Sequence, residues 1–241
     1  MSALLEVRDL TKRFGGLEAL ADVSFSVAEG AIVGIIGPNG AGKTTLFNVV
    51  TGFYKPDRGR VVLRGQDITG QPPHRICAQG LARTFQLSRP FPQLTVLQTV
   101  RIGALNRISD MAAATARAEE VLDFMGLAHK RDQLGLHLTV LERKRLELAR
   151  AFATGPSLLL LDEVIAGLRP NEVQDMIVLV RKISTLGITI LLIEHVLEAV
   201  MSVSSHLIVL NYGRVIAEGP PAELARHPDV IAAYLGKAYH A

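Results

Sequence analysis

The chain has 241 residues, of which 49% are hydrophobic, 20% charged and 5% aromatic. This composition is typical of a folded globular protein and excludes a disordered or collagen-like chain. The formal charge is +3, and Cys77 is the only cysteine, so an internal disulfide and a cysteine-rich metal site are both excluded. The N-terminus carries Glu6 and Asp9 where a secretory signal needs basic and then apolar residues, and we expect neither export nor a membrane span.

Short apolar runs bounded by turn residues predict buried strands in the first and last thirds of the chain. They lie at residues 4–7, 23–27, 32–36 and 61–63, and at 158–161, 188–193, 207–210 and 215–217. Helical spacing of apolar residues predicts helices at 43–50, 112–125, 141–153, 171–185 and 195–201, with no strand between 87 and 156. Strands that alternate with helices favour an α/β fold with a mostly parallel sheet. We therefore expect one domain over residues 1–241, with a helical subdomain inserted at 87–156.

A glycine-rich segment lies between the predicted strand at 32–36 and the predicted helix at 43–50. It reads Gly37-Pro38-Asn39-Gly40-Ala41-Gly42-Lys43-Thr44 and matches the phosphate-binding pattern GxxxxGK[ST] in full. Glycines let several backbone N–H groups point at phosphate oxygens, beside the partially positive start of a helix. We expect Lys43 at the β- and γ-phosphates and the Thr44 hydroxyl on Mg²⁺. The alternative is a glycine-rich turn that matches by chance, which the flanking strand and helix make rare.

Two adjacent acids, Asp162 and Glu163, follow the predicted strand at 158–161. We expect Asp162 to hold the water shell of Mg²⁺ and Glu163 to polarise an attacking water. The alternative is that one of the acids caps the next helix. His195 lies just after the predicted strand at 188–193, where it could reach a γ-phosphate or be an ordinary loop residue.

Together these motifs resemble the ATP-binding subunit of an ABC transporter, and the resemblance covers essentially the whole chain in order. It implies a P-loop ABC-type nucleotide-binding domain, in which an antiparallel β part accompanies the mostly parallel core sheet. It places the adenine-stacking aromatic at Phe14 and extends the phosphate loop through Thr45. It also implies a Mg²⁺-binding and catalytic role for Gln86 and a catalytic role for His195, with ATP and Mg²⁺ as cofactors.

Five separated stretches resemble the subgroup that serves branched-chain amino acid uptake, the LivG-like subunits. They are residues 14–20, 51–56, 83–86 with 94–97, 166–168 and 230–236. The resemblance implies an ATP-hydrolysing subunit of an importer for branched-chain or other amino acids, peripheral on the cytoplasmic face of the inner membrane. Its implied partners are a second ATP-binding subunit, identical or different, membrane permease subunits that dock near residues 87–99, and indirectly a solute-binding protein.

Two other functions are considered for the same fold. One is an ABC-type ATPase that acts on nucleic acid or ribosomes, and the other is a regulatory ATP-binding subunit with little turnover. The chain has no tryptophan and no basic runs interleaved with aromatic residues, so no nucleic-acid partner is expected.

The signature segment departs from the pattern of the family it resembles. In that family the segment reads LSGGQ or a variant that keeps one glycine, and its backbone meets the γ-phosphate bound to the other subunit. Here it contains Thr139, Val140, Leu141 and Glu142, so side chains replace both glycines. The segment is interpreted either as the apolar start of a helix or as a weakened signature that leaves one of two ATP sites impaired. Val164 replaces a usual proline, and Arg169 a usual Asp or Asn.

Overall fold

The computed structural model describes residues 3–85, 91 and 93–235. The chain begins with two long antiparallel strands, β1 (Ala3–Phe14) and β2 (Leu17–Ala28). With β4 (Arg58–Leu63) and β5 (Gln66–Asp67) they form an antiparallel sheet in the order β2-β1-β4-β5. Buried and exposed residues alternate along β2, so this sheet presents one face to the core.

A second sheet of six strands forms the centre of the molecule. Its members are β3 (Ile32–Ile36), β6 (Leu81–Arg83), β7 (Leu158–Asp162), β8 (Thr189–Ile193), β9 (His206–Asn211) and β10 (Arg214–Gly219). The order is β10-β9-β3-β8-β7-β6, with parallel pairs throughout except β10, which runs antiparallel to β9. Every residue of β3, β7 and β8 is buried, as expected for the apolar runs of a parallel sheet covered on both faces.

Helices cover both faces of the central sheet. On one face, α1 (Lys43–Val50) lies in the apolar cluster that joins the antiparallel sheet to the central one, and Phe47 of α1 is fully buried there. The opposite face packs against α6 (Pro170–Ser184) and α7 (Leu197–Val203). The remaining helices outside the middle of the chain are α2 (Pro73–Ala78), α8 (Pro221–Leu224) and α9 (Pro228–Leu235).

The middle of the chain is helical. It contains α3 (Val96–Ala104), α4 (Met111–Met125) and α5 (Val140–Ala153), with single 3₁₀ turns at Ala128–Lys130 and Gly135–His137. The described residues between 87 and 156 contain no strand. Within the described ranges, no helix is both long and apolar enough to cross a bilayer.

The two sheets confirm the expected fold class, an α/β domain with a mostly parallel core sheet and a separate antiparallel part. The limits of the helical subdomain at 87–156 stay a prediction. The parallel direction of the strands determines where a ligand can bind. The carboxyl ends of β3, β6, β7 and β8 all lie at one edge of the central sheet, where ligands of such sheets bind.

Candidate nucleotide-binding site

The phosphate loop connects β3 to α1 and depends on glycine at two positions. Gly37 has φ 151°, and a Cβ there would lie 2.1 Å from the Leu210 carbonyl oxygen. Gly42 has φ 103°, and a Cβ there would lie 2.6 Å from the Ala19 carbonyl oxygen. Both contacts are with backbone that cannot move aside, so any side chain at either position would open the loop.

The ammonium group of Lys43 is bound by the first two residues of this loop. Its Nζ donates hydrogen bonds to the carbonyl oxygens of Gly37 at 2.6 Å and Pro38 at 3.0 Å. Burial lowers the pKa of Lys43, whereas the negative charges of Glu163 and Asp162 oppose that shift. A buried cation whose bonds are to loop carbonyls is placed to exchange them for phosphate oxygens.

A cavity of about 470 Å³ opens above the loop. It brings together Phe14, the loop and α1 residues 39–45, Glu163 and His195. The Phe14 ring is 41% exposed and meets Tyr54 edge to face, with ring centroids 5.2 Å apart. An exposed ring at the rim of a phosphate-binding cavity can stack on a nucleotide base.

Asp162 ends β7 and is almost completely buried, with 1% of its surface exposed. Its Oδ2 accepts a hydrogen bond from Arg83 Nη2 at 2.6 Å, whereas its Oδ1 has no hydrogen-bond partner among the described residues. Burial raises the pKa of the Asp162 carboxyl, and the Arg83 guanidinium opposes that shift. A buried carboxylate oxygen left without a donor, close to the start of α1, fits the coordination shell of a hydrated Mg²⁺.

Glu163 and His195 form a pair at the mouth of the cavity. His195 Nε2 and Glu163 Oε1 lie 2.7 Å apart. Glu163 has φ 51°, a conformation uncommon for any residue with a side chain. Its carbonyl oxygen accepts a hydrogen bond from Lys144 Nζ at 2.7 Å, and its N–H donates to the Ile193 carbonyl at 2.9 Å. The strained backbone is therefore held from both sides, which is usual at catalytic positions.

The remaining site predictions have different outcomes. Gln86 lies outside the described residues. Thr139 is the N-cap of α5, and its hydroxyl accepts the Glu142 N–H while the Glu142 carboxylate accepts the Thr139 N–H, a reciprocal capping box. None of residues 139–142 is among those that line the cavity described above. The signature assignment stays a prediction.

Sequence reasoning missed three charged side chains that surround the carboxylates. They are Arg83, Lys144 and Glu194, which contact Asp162, the Glu163 carbonyl and the Ile165 N–H respectively. Arg83 and Glu194 each stand at the end of a short apolar run, and a charge in that position is the signal that could have found them.

The fold and the cavity define a P-loop nucleotide-binding domain in which a carboxylate and a histidine follow two neighbouring parallel strands. Residues 20–166 match the family described as ABC transporter, and residues 214–240 match that described as branched-chain amino acid ATP-binding cassette transporter. The chain belongs to the ABC transporter family and is an ATP-binding subunit that hydrolyses ATP.

Curated relatives match the chain along almost its entire length. The high-affinity branched-chain amino acid transport ATP-binding protein BraF of Pseudomonas aeruginosa is 40% identical over 98% of this chain and 98% of its own. The corresponding LivG protein of Escherichia coli is 38% identical with the same two coverages. Among solved structures, a nucleotide-free ATP-binding cassette from an ABC transporter has a TM-score of 0.90 at 35% identity, covering 98% of this chain and 100% of that one.

Proposed function

We propose that this chain is the MgATP-hydrolysing subunit of an importer for branched-chain or other amino acids. The relatives are named as branched-chain amino acid transport proteins, and the C-terminal residues 214–240 match the family of that description. These names favour transport over an action on nucleic acid or ribosomes. The observation that carries the hydrolytic role is the Glu163 and His195 pair, 2.7 Å apart, facing the phosphate loop across one cavity.

In this proposal each part of the site has a separate task. Phe14 stacks on the adenine, and the N–H groups of residues 40–45 hold the phosphates together with Lys43. Glu163 accepts a proton from the attacking water, and His195 holds that carboxylate and the γ-phosphate in place.

Mg²⁺ would be held by Thr44, Asp162 and Gln86. When bound, the ion neutralises charge on the β- and γ-phosphate oxygens. Asp162 is fixed for this task because its backbone N–H donates to the Thr84 hydroxyl at 3.0 Å while Arg83 occupies one carboxylate oxygen.

The proposed test is Glu163→Gln, which keeps the shape and the bond to His195 but cannot accept the proton. We expect ATP hydrolysis to fall by about 10²-fold or more while ATP affinity stays within about twofold. Turnover is measured by phosphate release, and affinity by titration with a fluorescent ATP analogue. Glu198→Gln changes an exposed carboxylate three residues after His195 and is the matched control. Hydrolysis retained in Glu163→Gln would remove Glu163 from the role of base.

The permease is proposed to bind in a second cavity, a groove of about 400 Å³ between β6, α2, α3 and α5. Its walls are mostly apolar, and the exposed rings of Phe53, Phe85 and Phe91 contribute to them. Arg150 adds a positive charge, with its guanidinium carbon 5.7 Å from the Phe91 ring centroid. A groove of this kind suits an amphipathic helix with an acidic residue from a membrane subunit. Phe91, which lines the groove, belongs to the segment 87–99 that is expected to receive the permease; residues 87–90 and 92 lie outside the described part.

The assembly is completed by subunits that this chain does not contain. We propose that the chain pairs with a second ATP-binding subunit over two ATP molecules and that hydrolysis reopens the pair. It would work as a peripheral subunit on the cytoplasmic face of the membrane, where the permease receives solute from a solute-binding protein.

A further inference from the structure

The Arg83 side chain joins the groove to the buried carboxylate of the ATP site. Arg83 is the last residue of β6, and its side chain is 6% exposed. One end of its fork donates to Asp162 Oδ2 at 2.6 Å, and the other donates to Asn48 Oδ1 of α1, also at 2.6 Å. A planar guanidinium held at both ends has a fixed orientation, which a flexible ammonium would lack.

The pairing decides which oxygen of Asp162 is available. Since Oδ2 is taken by Arg83 and Oδ1 has no partner among the described residues, the carboxylate can offer only Oδ1 to a cation or its water shell. Residues that hydrogen-bond a metal ligand in this manner orient it, and their loss weakens metal binding although they do not touch the metal. Arg83 also places a positive charge beside the buried carboxylate, which offsets part of the cost of burying it.

The same guanidinium lies close to two aromatic rings, those of Phe85 and Phe47. Its central carbon is 5.3 Å from the Phe85 ring centroid and 5.5 Å from that of Phe47. Phe85 is 40% exposed and meets the half-exposed ring of Phe53 edge to face, with centroids 5.6 Å apart. The Phe85 N–H is fixed by Glu147 of α5, at 2.8 Å from Oε1. Phe85 and Arg83 both line the groove, and the Arg83 guanidinium continues from there to the Asp162 carboxylate.

We propose that Arg83 is a positioning residue that sets the Asp162 carboxylate for Mg²⁺, and that the Phe85 ring helps to hold its guanidinium in place. This inference rests on the proposed function, since the Mg²⁺ in question is the ion that accompanies ATP in that proposal. It gives no catalytic contact to Arg83 itself.

The test measures two quantities on the purified chain: the Mg²⁺ concentration that half-saturates ATP hydrolysis, and the affinity for a fluorescent ATP analogue in Mg²⁺ and in EDTA. In Arg83→Met we expect the half-saturating Mg²⁺ concentration to rise about tenfold and the gain in affinity that Mg²⁺ confers to shrink by a similar factor. Affinity in EDTA should stay within about twofold, because the phosphate loop is untouched. Arg83→Lys should fall between Met and wild type, since it keeps the charge and loses the fork.

The aromatic link is tested in the same assays. Phe85→Leu removes the ring from the guanidinium and should raise the half-saturating Mg²⁺ concentration by about twofold or more. Phe124→Leu is the matched control, because Lys182 lies over that ring at 4.2 Å and neither residue lines the groove. Arg101→Met serves the same purpose for Arg83, since Arg101 is a half-buried arginine of α3 bonded to the Thr115 hydroxyl.

Thermal unfolding shows first whether each variant is folded. If Arg83→Met does not fold, Arg83→Lys and Asn48→Ala decide, because Asn48→Ala releases one end of the fork and should shift the Mg²⁺ dependence in the same direction.

A half-saturating Mg²⁺ concentration that is unchanged or lower in the folded variants overturns the proposal, as does an equal loss of affinity in EDTA. Absence of ATP hydrolysis in the transporter assembled from this chain and its partner subunits would contradict the proposed function, whereas nucleotide affinity of the purified chain with and without Mg²⁺ would still test Arg83.

Discussion

Glu194 is a buried acid that directly follows the last residue of the buried strand β8. It is 2% exposed, its Oε1 accepts the Ile165 N–H at 2.7 Å, and its Oε2 has no hydrogen-bond partner within the described ranges. Burial raises the pKa of Glu194 to about 7, and the charge of Glu163 acts in the same direction, while the Ile165 bond and the charge of Lys144 oppose it. The segment after Glu163 therefore rests on a carboxyl group that changes charge near neutral pH.

We expect this carboxyl group to make the free energy of unfolding fall as the pH rises. Its pKa is about 7 in the folded chain against 4.5 in the unfolded one, so between these values the folded state binds more protons. Its full cost at pH 8 is about 3 kcal/mol at most. Glu194→Gln keeps an oxygen for the Ile165 N–H and removes the titration, so the variant should be more stable than wild type at pH 8 and no more stable at pH 5.

Urea unfolding of both proteins at pH 5 and pH 8 measures this difference. Glu198→Gln, which changes an exposed carboxylate, should leave the pH dependence of stability as it is in wild type. The assignment would be contradicted if the stability of Glu194→Gln changed between pH 5 and pH 8 by the same amount as that of wild type.

At the scale of the elements, continuous apolar runs were sufficient to locate the central strands. The runs at 158–161 and 188–193 became β7 and β8 to within one residue at each end. The three-residue strand β6 was missed because it is a strand only through its pairing with β7, which is remote in sequence. Helix α3 was missed although Thr95 and Gln98 form a capping box at its start, a pattern that the sequence already shows.

The residues of the candidate site also divide into those that the sequence predicted and those that it did not. The phosphate loop, Glu163 and His195 follow local patterns and were predicted, whereas Arg83, Lys144 and Glu194 were not. Arg83 and Asp162 are 79 residues apart in the chain, and Lys144 and Glu163 are 19 apart. No local pattern encodes such a pair, because the sheet order and the packing of α5 bring its members together.

Helix α3 approaches α5 at a glycine, which permits a prediction about their packing. A Cβ on Gly103 would lie 2.2 Å from the Arg150 carbonyl oxygen. In an exposed helix, Gly→Ala stabilises by about 1 kcal/mol, but here the contact is with backbone and the helices must separate. We expect Gly103→Ala to lower the free energy of unfolding by about 1–2 kcal/mol.

Urea unfolding checks the Gly103 prediction. Gly16→Ala is its control, since a Cβ at Gly16 meets nothing within 4 Å, and the stability of that variant should stay within about 0.5 kcal/mol of wild type. A Gly103→Ala protein as stable as wild type would mean that α3 and α5 move apart at little cost.

At the scale of the whole molecule, one polypeptide supplies two different surfaces. One is the phosphate cavity with Glu163 and His195, and the other is the start of α5 at Thr139, where the side chain of Val140 is 47% exposed. In this chain the Thr139 hydroxyl and the Glu142 carboxylate cap their own helix. The helical interpretation of this segment therefore describes the isolated chain well, and its effect on a neighbouring subunit is a property of the assembly.

If the signature is weakened, the two ATP sites of an assembled transporter with two different ATP-binding subunits should turn over unequally. One ATP site is complete, because it combines the phosphate loop and Glu163 of this chain with the partner's signature. At the second ATP site, the side chains of Val140 and Leu141 hinder the close approach of this chain's signature backbone to the γ-phosphate. We expect Glu163→Gln here to remove most ATP hydrolysis and the matching change in the partner to remove little. Phosphate release from the purified assembly measures both, with Glu198→Gln in this chain as the control for mutation near the site. Equal losses from the two glutamate changes would show that both sites depend equally on their signatures, and the variant segment would then be no more than the start of α5.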